Sequence, residues 1–150
     1  MNAFHLRTNL AEPGVPEAHR LDWAPGSPAS TIQVGNAGTR FFEGWRPPRA
    51  AMDLALLGAA AYCADKIALR REASDRWTRD LRLDVPVAHA DAWTGAQWSP
   101  VLSFLTGDRW TITARHDAHD PLAAVKKVPT EVTPVGDVHG VCLFSGGLDS

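Results

Sequence analysis

Val141-Cys142-Leu143-Phe144-Ser145-Gly146-Gly147-Leu148-Asp149-Ser150 is the stretch from which the rest of the sequence is read. Four apolar residues followed by paired glycines predict a buried strand running into a tight turn, where a helix is expected to start. Gly146 and Gly147 admit positive φ and leave no Cβ between the backbone and an anion. Amide groups of such a turn, with the unsatisfied donors and positive dipole of a following helix, suit phosphate. Ser145 and Ser150 add hydroxyl donors. Asp149 is the odd member, because a carboxylate repels phosphate; it suits capping loop amides or holding a Mg²⁺ that bridges to the phosphates. A Walker A loop is excluded, since that pattern ends in Gly-Lys-Ser/Thr and no lysine follows Lys127.

Phe144 to Ser150 resembles the pyrophosphate loop of the PP-loop ATP pyrophosphatases. The resemblance implies a doubly wound α/β domain that splits ATP between its α and β phosphates and adenylates a substrate oxygen. It places Ser145, Gly146, Gly147, Asp149 and Ser150 around the pyrophosphate portion of ATP, with Mg²⁺, and makes Leu148 a packing position. Within the superfamily the wording is most similar to 7-cyano-7-deazaguanine synthases, and more narrowly to the longer homologues found in bacterial anti-phage cassettes. Ala61-Tyr62-Cys63-Ala64-Asp65-Lys66, Arg76-Trp77-Thr78-Arg79-Asp80 and Phe104-Leu105-Thr106-Gly107-Asp108-Arg109-Trp110 resemble the N-terminal extension of those homologues. The implied partners are ATP, a small-molecule carboxylate and a protein from the same operon. Other PP-loop amidotransferases and tRNA-modifying enzymes are the alternative branches. The single-domain synthase carries a late cysteine cluster for Zn²⁺, which belongs to a region beyond this sequence. Cys63 and Cys142 lack Cys-x-x-Cys spacing and predict no zinc site here. Glutamine-dependent asparagine synthetases share the loop, but need a cysteine at position 2, where this chain has Asn2.

The resulting fold expectation is an α+β domain over 1–116, a linker over 117–139, and the first strand and phosphate loop of a doubly wound domain over 140–150. A chain stopping at Ser150 is expected to be inactive alone. The 150 residues suffice for one domain with a core, and 45% hydrophobic with 21% charged residues is ordinary for a globular protein. A net charge of −2 gives no basic footprint and argues against direct nucleic-acid binding. Two separated cysteines, no signal-peptide core in Met1–Leu10 and no apolar run long enough to span a bilayer predict a cytoplasmic protein without membrane contact.

Along the chain, alternation predicts a strand over Phe4–Thr8, with Phe4 and Leu6 on one face and His5 and Arg7 on the other. Prolines and glycines over 9–30 predict irregular chain, Thr31–Val34 a second strand, and 35–48 a loop. Ala50–Arg71 is the clearest helix. Its two apolar stripes, Leu54-Leu57-Ala61-Ala64-Ala68 and Leu56-Ala60-Cys63-Ile67, predict a mostly buried element with Tyr62 and Cys63 in the core. Thr78–Val87 and Arg109–Arg115 alternate as half-buried strands, and Trp98–Leu105 reads as a short helix. Strands and helices mix without βαβ regularity, hence the α+β reading.

Four further constellations have plainer explanations. His116-Asp117 and His119-Asp120 invite a metal reading but follow a strand and open a linker, which suits solvated turn residues. Trp23, Trp45, Trp77, Trp93, Trp98 and Trp110 could stack on bases, yet without a basic stripe they read as packing residues. Arg70, Arg71, Arg76 and Arg79 could hold phosphate, but Asp65, Glu72, Asp75 and Asp80 are at hand to pair with them. Lys126-Lys127 is a lone pair in the linker. No nucleophile or acid–base constellation stands out before residue 136, so the N-terminal part also fits a binding module for a protein or substrate.

Overall fold

The computed structural model describes residues 2–93 and 95–128, with the backbone alone at 36, 37, 95 and 96. They form an α+β fold: three α-helices against one small parallel sheet of four strands. In chain order the elements are β1 (Asn2–Arg7), β2 (His19–Asp22), α1 (Asn36–Gly44), α2 (Arg49–Ile67), β3 (Asp80–Val87), α3 (Gly95–Thr106) and β4 (Arg109–His116). The sheet order is β2-β1-β3-β4, and every neighbouring pair is parallel. β3–α3–β4 is a βαβ unit, a regularity the sequence reading had found lacking. The strand and loop predicted over 140–150 lie outside the described residues.

Two expectations are corrected. Thr31–Val34 is not a strand; the second strand is His19–Asp22, inside the stretch read as irregular. Thr31 and Ile32 donate their N–H groups to the Asp22 carbonyl, and the Thr31 hydroxyl accepts the Asp22 N–H, so residues 31–32 finish β2 rather than begin a strand. The stretch 35–48, read as a loop, contains α1, whose Phe42 packs edge-on against Trp23.

α2 begins after Pro47-Pro48 and buries Met52, Asp53, Leu56, Leu57, Ala60, Ala61 and Ala64 at three- and four-residue steps against the sheet. Both expected stripes contribute to the buried face, but less of the helix is covered than expected: Leu54, Tyr62 and Ile67 are exposed and Cys63 is half-buried. Tyr62 therefore leaves the core and stands under the Lys66 ammonium, 5.4 Å from its ring centre. The helix stops at Ile67 because the Arg79 guanidinium takes the carbonyls of Asp65 and Ala68 at its carboxyl end. At the end of α3, Gly107 adopts φ +73°, a conformation suited to glycine, and turns the chain into β4.

The sheet has two unlike faces. Phe4, Leu6, Leu81, Leu83, Val85, Val87, Trp110 and Ile112 form the buried floor of the hydrophobic core with α2. The register aligns His5 with Asp84 and Thr113 on the opposite face, and Ala3 with Arg82 and Thr111. Parallel sheets are usually covered by helices on both faces. Among the described residues, the second face carries only the irregular connection 8–18, and Arg82, Thr111 and Thr113 stay exposed.

α3 also closes the β4 edge. The N–H groups of Arg109 and Asp117 donate inward, to the Arg79 carbonyl just before β3 and the Val87 carbonyl at its end, so the alternate amides of β4 point outward. Ser103 Oγ accepts the Trp110 N–H and Ser99 Oγ the Ile112 N–H, both at 3.1 Å. Four residues on the helix thus match two on the strand, and serines replace a fifth strand.

Residues 117–128, predicted to be linker, instead lie against the domain. Leu122 and Val125 are buried, and the Trp23 indole N–H donates to the Pro121 carbonyl at 3.1 Å.

At the amino ends of β3 and β4, one carboxylate joins the elements. Asp108, 2% exposed, accepts from the Arg79 N–H, Nε and Nη2 and from both Arg70 terminal nitrogens. Arg70 also donates to the carbonyls of Thr106 and Trp77. Burial pushes the Asp108 carboxyl up, but the Arg79 hydrogen bonds and the two cations outweigh it and hold it below the ordinary range. The native state thus binds fewer protons than the unfolded chain in acid. The stability this supplies is full above the unfolded value of about 3.9 and drains as pH falls through the folded value.

Asp108→Asn is expected to cost about 3 kcal/mol at neutral pH, since it leaves the buried Arg79 with the half-exposed Asp65 in place of two carboxylates. It should also flatten the acid dependence of stability. Urea unfolding at neutral pH and in mild acid measures both, and an unchanged acid slope would place the sensitive carboxylate elsewhere. Ser99→Ala and Ser103→Ala should each lower stability by about 1 kcal/mol by orphaning an edge amide. Urea midpoints of the single variants check this, and wild-type midpoints would mean that water serves those amides equally well.

Candidate functional site

In open parallel sheets, ligands sit beyond the carboxyl ends of the strands where the strand order reverses. The order β2-β1-β3-β4 reverses between β1 and β3. The ladder between them runs from Asn2–Leu81 to His5–Asp84. Beyond it, Arg115 reaches across from β4, donating Nη2 to the Leu6 carbonyl and Nη1 to Asp84. A crevice of about 290 Å³ opens there, lined by Asn9, Glu12, Arg115, His116 and Asp117.

Its charged groups form one network on the polar face of the sheet. Arg115 bonds both oxygens of Glu12, at 3.2 and 3.1 Å, pinning the 8–18 connection to β4. His5, 3% exposed, lies between carboxylates, with Nε2 3.4 Å from Glu12 and Nδ1 3.4 Å from Asp84. Arg7 pairs with Asp22 and donates to the Leu10 and Glu12 carbonyls, so β1, β2 and the connection are held together. Asp117 accepts the Thr8 hydroxyl at 2.7 Å and the His119 N–H at 2.8 Å. Burial pushes its carboxyl up, and these two bonds pull it below the ordinary range. Behind the crevice, fully buried Asp53 accepts the Ala88 N–H at the end of β3. Arg49 lies 3.6 Å from Asp53 and donates to the Asp117 carbonyl.

Chemically, this is a polar crevice whose ions are largely satisfied by one another. Its lining offers no serine, cysteine or lysine nucleophile among the described residues. It suits orienting or docking a polar group better than covalent catalysis.

The residues read from sequence as a phosphate loop, Ser145, Gly146, Gly147, Leu148, Asp149 and Ser150, lie outside the described residues, as does Cys142. Of the His-Asp pairs, His116-Asp117 lines the crevice and His119-Asp120 does not, and both carboxylates are spent on turns: Asp117 on the His119 amide and Asp120 on the Leu122 amide. Among the described residues no group of three or more His, Cys, Asp or Glu side chains is placed to hold a metal ion. Arg70 and Arg79 are absorbed by Asp108 and Asp65, and Arg109 pairs with Asp80. Glu12, Asp84 and Arg115 were not singled out from sequence. The signal was the alternation that put polar residues on one face of each strand, which reads equally well as a solvent face. No helix of the described residues is long and apolar enough to cross a membrane.

No family model matches the chain, and no curated protein or solved structure matches it significantly.

Arg115→Met should free the 8–18 connection by removing the cation shared by Glu12 and Asp84. Stability is expected to fall by about 2 kcal/mol, and proteolysis within 8–18 to quicken about tenfold through local opening. Limited proteolysis followed by mass spectrometry checks it. Equal cleavage of variant and wild type would show that other contacts hold the connection.

Proposed function

We propose that this chain is the N-terminal part of an ATP pyrophosphatase of the PP-loop type, similar to 7-cyano-7-deazaguanine synthase and serving anti-phage defence. The observation that carries the reading is Phe144-Ser145-Gly146-Gly147-Leu148-Asp149-Ser150 behind an apolar run. In this reading, the amides of Gly146 and Gly147 and the hydroxyls of Ser145 and Ser150 hold the β and γ phosphates of ATP. Asp149 orients the loop or holds Mg²⁺. A substrate carboxylate oxygen attacks the α phosphorus, the bond to the bridging oxygen breaks, and pyrophosphate leaves. An amine or ammonia then attacks the acyl carbon and AMP departs. No metal group falls among the described residues; in the synthases that the loop resembles, Zn²⁺ belongs to a later cysteine cluster.

ATP–pyrophosphate exchange by the full-length protein tests this. Wild type should exchange label in the presence of its carboxylate substrate, and Asp149→Ala should lose about 100-fold or more, the size of effect expected for a group preorganised around transferring phosphate. Equal exchange by both proteins would remove the proposal.

A further inference from the structure

Phe41 on α1 and Trp45, the residue that caps its carboxyl end, leave 53% and 48% of their surfaces exposed. Their rings meet at 60° with centroids 5.1 Å apart, and Phe41 rests edge-on against Phe42, which in turn meets Trp23. The pair is thus an exposed aromatic surface anchored to the core. The fold then brings a distant segment beside it. Arg46 donates to the carbonyls of Leu122 at 2.8 Å and Val125 at 2.6 Å, and the Val128 N–H donates to the Glu43 carbonyl at 3.0 Å. Lys126 and Lys127, both exposed, lie between those two anchors, and Arg40 is exposed on α1. Arg46 hydrogen-bonds neutral carbonyls, so its charge remains uncancelled. Among the described residues, Arg40, Lys126 and Lys127 have no carboxylate partner. Glu43 is the sole acidic residue in α1 or in 121–128.

We propose that this face binds single-stranded nucleic acid, with bases stacking on Phe41 and Trp45 and phosphates meeting Arg40, Arg46, Lys126 and Lys127. Aromatic faces beside unpaired cations are what base stacking with backbone tracking requires, and such binding tolerates any base sequence. An acidic peptide would use the cations but leave the rings without stacking partners. The chain as a whole carries a charge of −2, so attraction of a phosphate backbone to this face rests on these four cations and not on the net charge. The proposal is independent of the ATP reading.

The test is fluorescence anisotropy of a labelled oligothymidylate titrated with the 150-residue chain at several salt concentrations. Wild type should bind saturably at low salt, with a log–log salt slope of roughly −2 to −3 for three to four neutralised phosphates. Phe41→Ala should weaken binding about tenfold without changing that slope. The double variant Lys126→Glu, Lys127→Glu should weaken binding and reduce the slope by about 1.4. Phe41→Leu, which keeps apolar bulk without a ring, guards against misfolding and should show the same loss as Phe41→Ala. Three results overturn the proposal. One is absence of binding at low salt. Another is wild-type binding by the aromatic and lysine variants alike. The third is displacement of the oligonucleotide by polyglutamate together with undiminished binding by Phe41→Leu, which would make this a surface for acidic proteins.

Discussion

The carboxylate of Asp108 is the constraint on which the rest of the fold depends. It sits where three elements are joined: the end of α2, the start of β3 and the turn from α3 into β4. Arg79 serves two masters at once, holding Asp108 and capping the last carbonyls of α2. Arg70 does the same for the end of α3 through Thr106. Each guanidinium thus meets a full charge and orphaned helix carbonyls, the two partners that best repay its removal from water. The register between β3 and β4 follows, because Asp80 is set opposite Arg109 by the residues immediately before each.

The carboxyl ends are organised differently. There a polar network takes the place of the second helical layer. His5, Arg7, Asp22, Asp84 and Arg115 come from all four strands, and Glu12 from the connection laid over them. Charges under a thin irregular cover are tied by directional bonds rather than by packing, so this face is fixed wherever partners exist and open where they do not. The crevice at Asn9, His116 and Asp117 is where the network runs out. Placed at the reversal of strand order, it is where a parallel sheet has room for a ligand.

What could be read in the sequence was local, and what could not was long-range. The alternation of Phe4 and Leu6 with His5 and Arg7, and of Leu81, Leu83 and Val85 with Arg82 and Asp84, correctly separates the two faces of the sheet. The same alternation hid that the sheet is parallel, because parallel strands normally show apolar residues on both faces. His19–Asp22 was missed because only four residues form β2, and their stability comes from β1 and from residues 30–32 rather than from their own pattern. α1 was missed because Gly35, Gly38 and Gly44 mark a loop by composition, while the contact of Phe42 with Trp23 supplies the stabilisation that helix propensity lacks. The polar crevice joins residues more than a hundred positions apart, such as Glu12 with Arg115, and nothing in their neighbourhoods announces the pairing. The stretch Ser145–Ser150 is the opposite case: the expectation of a phosphate loop there is entirely local.

The same distinction explains why the face on α1 was invisible in one dimension. Six tryptophans without a basic stripe argue for packing, and Lys126-Lys127 alone argues for nothing. Three hydrogen bonds, two from Arg46 and one from Val128, convert these separate facts into a single surface. All three bonds are accepted by backbone carbonyls, groups every residue has, so no side-chain pattern could have foretold which carbonyls Arg46 would meet. The segment 117–128 therefore does more than connect: by folding back on α1 it buries Leu122 and Val125 and holds two exposed lysines between its anchors to Glu43 and Arg46. Substitutions that loosen this segment should consequently change binding on α1 before they change the sheet, whose amino-terminal lock at Asp108 is made by none of the same residues.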